Sequence, residues 1–162
     1  MKNVTSSLFG VFIGVVAGAV GMECTVGRER NKSQKKTLDQ ADKLQEFYTV
    51  LLQWIRVHQS GRKLVSYFEK NDYKTVAIYG MKELGESLLA ELDGSNVVVK
   101  YAVDRDATDI YSEIDVLKPS ENLEPVDVMV ITAIHAYNAI ENDMKQKLSC
   151  PIVSIEDVVW EA

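Results

Sequence analysis

A glycine-containing turn between an apolar run and an amphipathic run has the residue types of a phosphate site. Gly80 and Gly85 occupy the first and sixth positions of the pattern Gly-x-Gly-x-x-Gly, and Asp104 lies 24 residues after Gly80. In that pattern, backbone N–H groups at a helix N-terminus approach a pyrophosphate, and the acid accepts a hydrogen bond from a ribose hydroxyl. The spacing predicts a nucleotide site formed by Gly80, Met81, Lys82, Gly85 and Asp104, with NAD(P) or a nucleotide-sugar as ligand.

Lys82 is the departure from this pattern, because it stands in the place of the middle glycine. Its side chain could obstruct the approach of a pyrophosphate. Its ammonium could instead neutralise a phosphate that the helix N-terminus already favours. A third interpretation needs no ligand, since the turn could serve only to pack the helix onto the sheet. The sequence leaves all three open.

Side chains for catalysis are few. Thr132, His135 and Tyr137 follow a strongly apolar run and are predicted to lie at the same sheet edge as Gly80. His135 is the only candidate general acid or base among them. The sequence identifies no partner to orient it, and contains neither a Gly-x-Ser-x-Gly elbow nor a Walker lysine. Catalysis by His135 is therefore an alternative to simple binding.

Charge and cysteine content exclude two other classes of site. Residues 73–162 carry 17 acidic and 7 basic side chains, so this part would repel a phosphate backbone and we expect no nucleic-acid binding. Residues 1–72 carry the basic excess, with 11 basic and 7 acidic side chains. Cys24 and Cys150 lie far apart without a Cys-x-x-Cys pair or a His-rich tract, so we expect no metal site.

The elements that must position the turn follow from the apolar pattern. Short apolar strands alternate with single helices from Tyr73 onward, which indicates a parallel sheet covered by helices on both faces. With right-handed crossovers this is an α/β fold of the half-Rossmann type, and the turn after Tyr79 lies at the carboxyl edge of the sheet. The predicted strands are 75–79, 97–103, 114–117, 126–133 and 151–155, and the predicted helices are 83–92 and 138–148, with a short helical turn at the end.

Residues 1–26 are predicted to form a single transmembrane helix in the cell membrane. Positions 3–22 carry no charged residue, and twenty helical residues span about 30 Å, the thickness of a hydrocarbon core. Basic residues follow the apolar run, whereas only Lys2 precedes it. The positive-inside rule therefore predicts an N-terminus outside and a cytoplasmic C-terminal domain. The alternative is a cleaved signal peptide, with the sequence from Ala17 to Ala19 as the cleavage site.

Three glycines within this segment indicate a second property. Gly10, Gly14 and Gly18 recur every four residues and so share one face of a helix. Small residues in register let two helix backbones approach closely in lipid. The chain is therefore predicted to form a homo-oligomer through these glycines, unless they reflect only the general frequency of glycine in membrane helices.

Residues 27–72 are predicted to connect the membrane helix to the folded domain. Residues 27–36 are polar and basic, so we expect a linker that lies against anionic membrane lipid. Thr37 and Gln40 have capping-box spacing and predict the start of an amphipathic helix that ends at Gly61. A short helix over 62–70 follows. The predicted buried stripe of the longer helix is Ala41, Leu44, Tyr48, Leu51, Ile55 and His58, broadened by Phe47, Leu52 and Trp54. That stripe needs either the following domain or a second copy as its partner.

The order and spacing of four runs give the C-terminal part a family resemblance. The runs are YKTVAIYGMKELGESLLAEL, VKYAVDRD, VDVMVITAIHAYNAIENDM and PIVSIEDVV. With them, residues 62–160 resemble a Rossmann-like domain of bacterial surface-polysaccharide biosynthesis proteins, related to CoA-binding and sugar-acetyltransferase N-terminal domains. The resemblance implies a nucleotide or nucleotide-sugar pocket at Gly80, Met81, Gly85 and Asp104. It also implies polysaccharide-assembly enzymes as partners.

These expectations combine into one leading hypothesis and two alternatives. The leading hypothesis is a membrane-anchored module whose Rossmann-like domain, residues 73–162, binds a nucleotide or nucleotide-sugar beside polysaccharide-assembly enzymes. The first alternative is a small oxidoreductase or sugar-nucleotide-modifying enzyme that uses His135. The second is a structural adaptor with a vestigial pocket. Only the enzyme requires His135, and only the adaptor is indifferent to Gly80 and Asp104.

Overall fold

The computed structural model describes residues 34–162. The chain divides after Leu44 into two compact units. The first described element, α1, is helical from residue 34 to residue 59. Because residues 34–36 are already helical, Thr37 lies inside α1, and the predicted helix start at Thr37 is wrong. The predicted linker 27–36 is likewise wrong for its last three residues.

The end of α1 agrees with the prediction. Gly61 adopts a φ of +77°, which side-chain-bearing residues rarely adopt, and its N–H donates to the His58 carbonyl at 2.9 Å. A short helix, α2, then covers Val65–Lys70, three residues shorter at its start than predicted. Leu64, just before it, is completely buried and provides no side-chain cap for α2. Its N–H donates to the carboxylate of Glu91, which lies on a later helix.

The strands form one parallel sheet, as predicted. Val, Ile and other apolar residues dominate them, in keeping with strands covered on both faces. The sheet order is β3-β2-β1-β4-β5, which is compatible with a Rossmann-like fold. The strands are β1 Thr75–Tyr79, β2 Val98–Val103, β3 Val116–Leu117, β4 Val128–Ile131 and β5 Ile152–Ser154. The remaining helices are α3 Glu83–Leu92, α4 Tyr137–Met144 and α5 Ile155–Glu161.

The predicted bounds of β1 and α3 are confirmed, and the other strands are shorter than predicted. Before β4, the Asp127 carboxylate accepts from the backbone N–H groups of Lys74 and Thr75 at 2.9 and 2.8 Å. After β4, the Thr132 side chain turns toward the end of β1. Before α5, Ser154 caps the helix and so ends β5.

The sheet separates two apolar layers. The helices α2, α3, α5 and the part of α1 after Leu44 pack on one face, where Val76, Ile78, Val128 and Val130 point. The helix α4 packs on the other face, together with the connection that follows β3. Helices therefore cover both faces, as predicted.

The face of α1 that packs on this domain differs from the prediction. Val50, Trp54 and Val57 are buried, and Phe47 and Leu51 pack beside them. The predicted stripe is wrong at most of its positions. Exposed residues of that stripe are Ala41, Leu44, Tyr48, Ile55 and His58.

The predictions for the N-terminal segment fall outside the described residues. They comprise the membrane helix over 1–26, the glycines Gly10, Gly14 and Gly18, and the first part of the linker. Among residues 34–162, no helix combines the length and the apolar character needed to cross a membrane.

Candidate functional site

The glycine turn lies where the strand order of the sheet reverses. The chain proceeds outward from β1 to β2 and β3, then continues on the opposite side of β1 with β4 and β5. Gly80 directly follows β1, and Thr132 directly follows β4, at the carboxyl edge of both strands. In open α/β sheets this crevice is where ligands bind.

Gly80 is required by both its backbone conformation and its surroundings. Its φ is +98°, and its N–H donates to the Val103 carbonyl at 2.8 Å, which ties the turn to the end of β2. A Cβ at this position would lie 2.7 Å from the Thr132 hydroxyl oxygen. The first glycine of the predicted pattern therefore allows a tight turn between β1 and α3.

Gly85 allows α3 to pack against that turn. It is buried in the first turn of α3, and a Cβ there would overlap the carbonyl oxygen of Gly80. Because that oxygen belongs to the backbone, no rotamer change could relieve the overlap. The sixth-position glycine thus has the helix-packing role that the pattern assigns to it.

Asp104 is brought to the turn, but it already has partners there. One carboxylate oxygen accepts from the Met81 N–H at 2.9 Å, and the other accepts from the Asp106 N–H at 3.0 Å. The residue is only 7% exposed. The carboxylate therefore fastens the glycine turn to the end of β2, and a ribose hydroxyl would have to share its oxygens with these two N–H groups.

Lys82 is the residue directly before α3. It precedes the helix with φ −98° and ψ −158°, an extended conformation that any residue adopts, and its side chain makes no capping hydrogen bond. Lys82 is exposed, as are Glu83 and Glu86 in the first helical turn. The start of α3 therefore carries one ammonium and two carboxylates, and the lysine is the only one of the three that favours an anion.

Thr132 also contributes to the turn, through hydrogen bonds that the sequence did not predict. Its hydroxyl lies 2.6 Å from the Gly80 carbonyl oxygen and 3.1 Å from that of Tyr79. Sequence position suggested only that Thr132 shares an edge with Gly80. The contact joins the end of β4 to the turn after β1.

The catalytic candidates do not assemble into a catalytic group. His135 is exposed in the 3₁₀ turn Ile134–Ala136, and no hydrogen bond or ion pair to its side chain occurs in the described part of the chain. The Tyr137 hydroxyl lies 3.0 Å from both a Glu141 carboxylate oxygen and the Ile152 carbonyl. Burial, followed by the bond to Glu141, raises the pKa of Tyr137 to about 12. Tyr137 is thus a neutral link between α4 and β5.

Metal ligation and thiol chemistry find no support among the residues that the structure describes. Within residues 34–162, no three His, Cys, Asp or Glu side chains are grouped so that they could hold a metal ion. Cys150 is a half-buried free thiol, and burial raises its pKa. A raised pKa lowers the thiolate fraction of Cys150 at neutral pH below that of an ordinary cysteine.

Comparisons of the chain with protein-family models, with curated proteins and with solved structures gave no match.

Proposed function

We propose that this chain is a module that binds a nucleotide or nucleotide-sugar at the crevice between β1 and β4. The observation that carries the proposal is the glycine turn at the reversal of strand order, with Gly80 at φ +98° and α3 directly behind it. The first N–H groups of a helix have no intrahelical partners and favour an anion. A ligand phosphate would lie against those groups.

Lys82 is proposed as the phosphate partner. Its side chain is exposed at the start of α3, and its extended backbone does not require glycine. Glu83 and Glu86 would repel a phosphate at the same helix turn, so an ammonium beside it is needed for favourable binding. Charge-assisted hydrogen bonds of this kind contribute about 1.5 to 3 kcal/mol.

The cellular setting is part of the proposal and depends on the sequence. The uncharged run over positions 3–22 supports a membrane anchor that leaves the nucleotide module in the cytoplasm. Gly10, Gly14 and Gly18 support self-association of that anchor. The family resemblance of residues 62–160 supports a place beside polysaccharide-assembly enzymes.

Thermal unfolding of the full chain in detergent provides a first test. A ligand that binds only the native state stabilises it by about 2.7 kcal/mol at a concentration 100 times its dissociation constant. The compounds to compare are NAD(H), NADP(H), CoA, ATP and UDP-sugars. One ligand class should raise the midpoint temperature in a concentration-dependent way. An unchanged midpoint with every compound, at millimolar concentration, would count against the proposal.

A structural adaptor is the second candidate, and one observation favours it. Both oxygens of Asp104 already accept backbone hydrogen bonds, and the Thr132 hydroxyl donates to the Gly80 carbonyl. These contacts would hold the turn together without any ligand. A folded chain that binds none of the compounds, yet loses stability when Asp104 is replaced by Ala, would support the adaptor.

A further inference from the structure

Two connections of the sheet lack the helix that parallel strands normally have between them, and the one from β2 to β3 leaves a groove. The connections from β1 to β2 and from β4 to β5 contain α3 and α4. The connection from β2 to β3, residues 104–115, contains only the 3₁₀ turn Ala107–Asp109. A right-handed crossover helix at this point would lie beside α3, over β2. The connection from β3 to β4 also lacks a helix, but there Leu123 and Val126 are buried.

A groove lies over β2 where that helix would pack. It has a volume of about 710 Å³. Its floor is formed by residues 97–99 of the β2 segment, and its outer wall by residues 111–114 of the long connection. Val99 lies in the layer that contains α3 and is only partly buried, and Tyr111 is 99% exposed, so apolar surface at the groove is left open to solvent.

The inner wall of the groove is a stripe along α3. Glu86, Leu89 and Ala90 line it on one face of the helix, and Asp93, the residue directly after α3, continues the stripe seven residues after Glu86. Seven residues of helix rise about 10 Å, or two turns. The stripe therefore matches the contact length of a short helix packed alongside α3, and the small side chain of Ala90 permits close approach.

The charge of the groove restricts its occupant. Glu86, Asp93 and Glu113 surround the apolar floor, and none of the residues that line the groove is Lys, Arg or His. An occupant needs apolar side chains toward Leu89 and Val97, and cationic groups toward the three carboxylates. An acidic occupant would be repelled.

We propose that this groove binds a short basic amphipathic helix of a partner protein, in the place of the absent crossover helix. The partner helix presents an apolar stripe to β2 and α3, and Lys or Arg residues to Glu86, Asp93 and Glu113. Tyr111, which contributes almost no burial to the fold, covers the bound helix from the outer wall. This surface goes beyond the proposed nucleotide site and does not depend on it.

A designed peptide pair tests the proposal on the full chain in detergent. The probe is a helix of about 14 residues with Leu and Ala at i, i+3, i+4 and i+7 and with Lys on both flanks. The matched probe has Glu in place of every Lys. Fluorescence anisotropy should detect binding of the Lys peptide at least about tenfold tighter than that of the Glu peptide, weakening as salt is raised.

Two variants place the binding in the groove. Tyr111→Ala should weaken binding of the Lys peptide at least about threefold, whereas Tyr48→Ala, at another exposed tyrosine, should leave it unchanged. Ala90→Arg adds bulk and positive charge to the inner wall and should weaken binding at least about tenfold. Its control is Ser87→Arg, which adds the same charge on α3 outside the groove.

Several results would overturn the proposal. They are the absence of Lys-peptide binding at millimolar concentration, equal binding of the two peptides, or equal effects of Ala90→Arg and Ser87→Arg. A change of oligomeric mass in Ala90→Arg, measured by light scattering, would identify a second copy of the chain as the occupant and would also overturn the proposal as stated.

Discussion

Gly85 and Gly94 differ in the space available for a Cβ atom, and the loss of stability on substitution should measure this difference. Replacing Gly85 by Ala should destabilise the fold by more than about 3 kcal/mol, because the new Cβ overlaps the backbone oxygen of Gly80. Gly94 has a φ of +66° but open space around it, so Gly94→Ala should cost only about 1 kcal/mol. Urea unfolding of the full chain compares the two. Equal losses of stability would show that the packing of α3 on the turn is not tight.

The hydrogen bonds of Asp127 predict that the stability of the fold decreases at low pH. Its carboxylate accepts from the Lys74 N–H, the Thr75 hydroxyl and the Thr75 N–H, and these hydrogen bonds lower its pKa. Since the folded pKa lies below the unfolded value, the stabilisation is present above about pH 4 and is lost as pH falls through the folded pKa. The midpoint temperature of Asp127→Asn should therefore differ most from that of the natural chain near pH 6, and the difference should shrink as pH falls below about 4. A difference independent of pH would contradict this account.

Among the elements, α3 anchors the preceding helices through a single carboxylate. Glu91 accepts from the Trp54 indole N–H at 2.5 Å and from the Leu64 N–H at 2.7 Å, and it lies 2.8 Å from the His58 ring nitrogen. Glu91→Ala would leave the Trp54 and Leu64 donors without acceptors, at about 1 to 3 kcal/mol each. We expect faster hydrogen exchange in α1 and α2 and a red shift of Trp54 fluorescence. Glu86→Ala, an exposed change on the same helix, is the control. Unchanged exchange in Glu91→Ala would contradict the anchoring role.

The sequence predicted most of the elements but not the face of α1 that is buried. The continuous apolar run of β1 and the helical spacing of leucines in α3 located both elements to the residue. In α1 both sides carry large apolar residues, with Trp54 and Val57 on one side and Tyr48 and Ile55 on another. Helical periodicity shows that such a helix is amphipathic, but choosing the face requires the shape of the surface it packs on.

For the candidate site, the sequence predicted where the residues lie but not the hydrogen bonds that they make. The spacing of Gly80, Gly85 and Asp104 placed all three at one edge, because strand ends meet there whatever the side-chain details. The spacing could not show that the Asp104 carboxylate accepts hydrogen bonds from Met81 and Asp106, or that the Thr132 hydroxyl donates to Gly80. The contacts of Asp104 with Met81 and of Thr132 with Gly80 join distant chain segments and are set by the register of β1 with its neighbours.

For the whole molecule, the charge distribution predicts a topology. A reporter fused after Ala162 should be active only in the cytoplasm, and the chain should stay in the membrane fraction after high-salt and alkaline washing. The reason is the uncharged run over positions 3–22 with basic residues directly behind it. Recovery of a shortened, exported form would contradict this topology and favour the signal-peptide alternative.

The most direct test of the central claim is calorimetric titration of the full chain with the same nucleotides and nucleotide-sugars, in the natural sequence and in two lysine variants. The account predicts saturable binding of one ligand class. Lys82→Gln should weaken it at least about tenfold, and Lys74→Gln, at an exposed lysine on the opposite edge of the sheet, should leave it unchanged. Tighter binding in Lys82→Gly would mean that the lysine obstructs the site. A folded chain that binds none of the compounds, or equal effects of Lys82→Gln and Lys74→Gln, would contradict a nucleotide site at this turn.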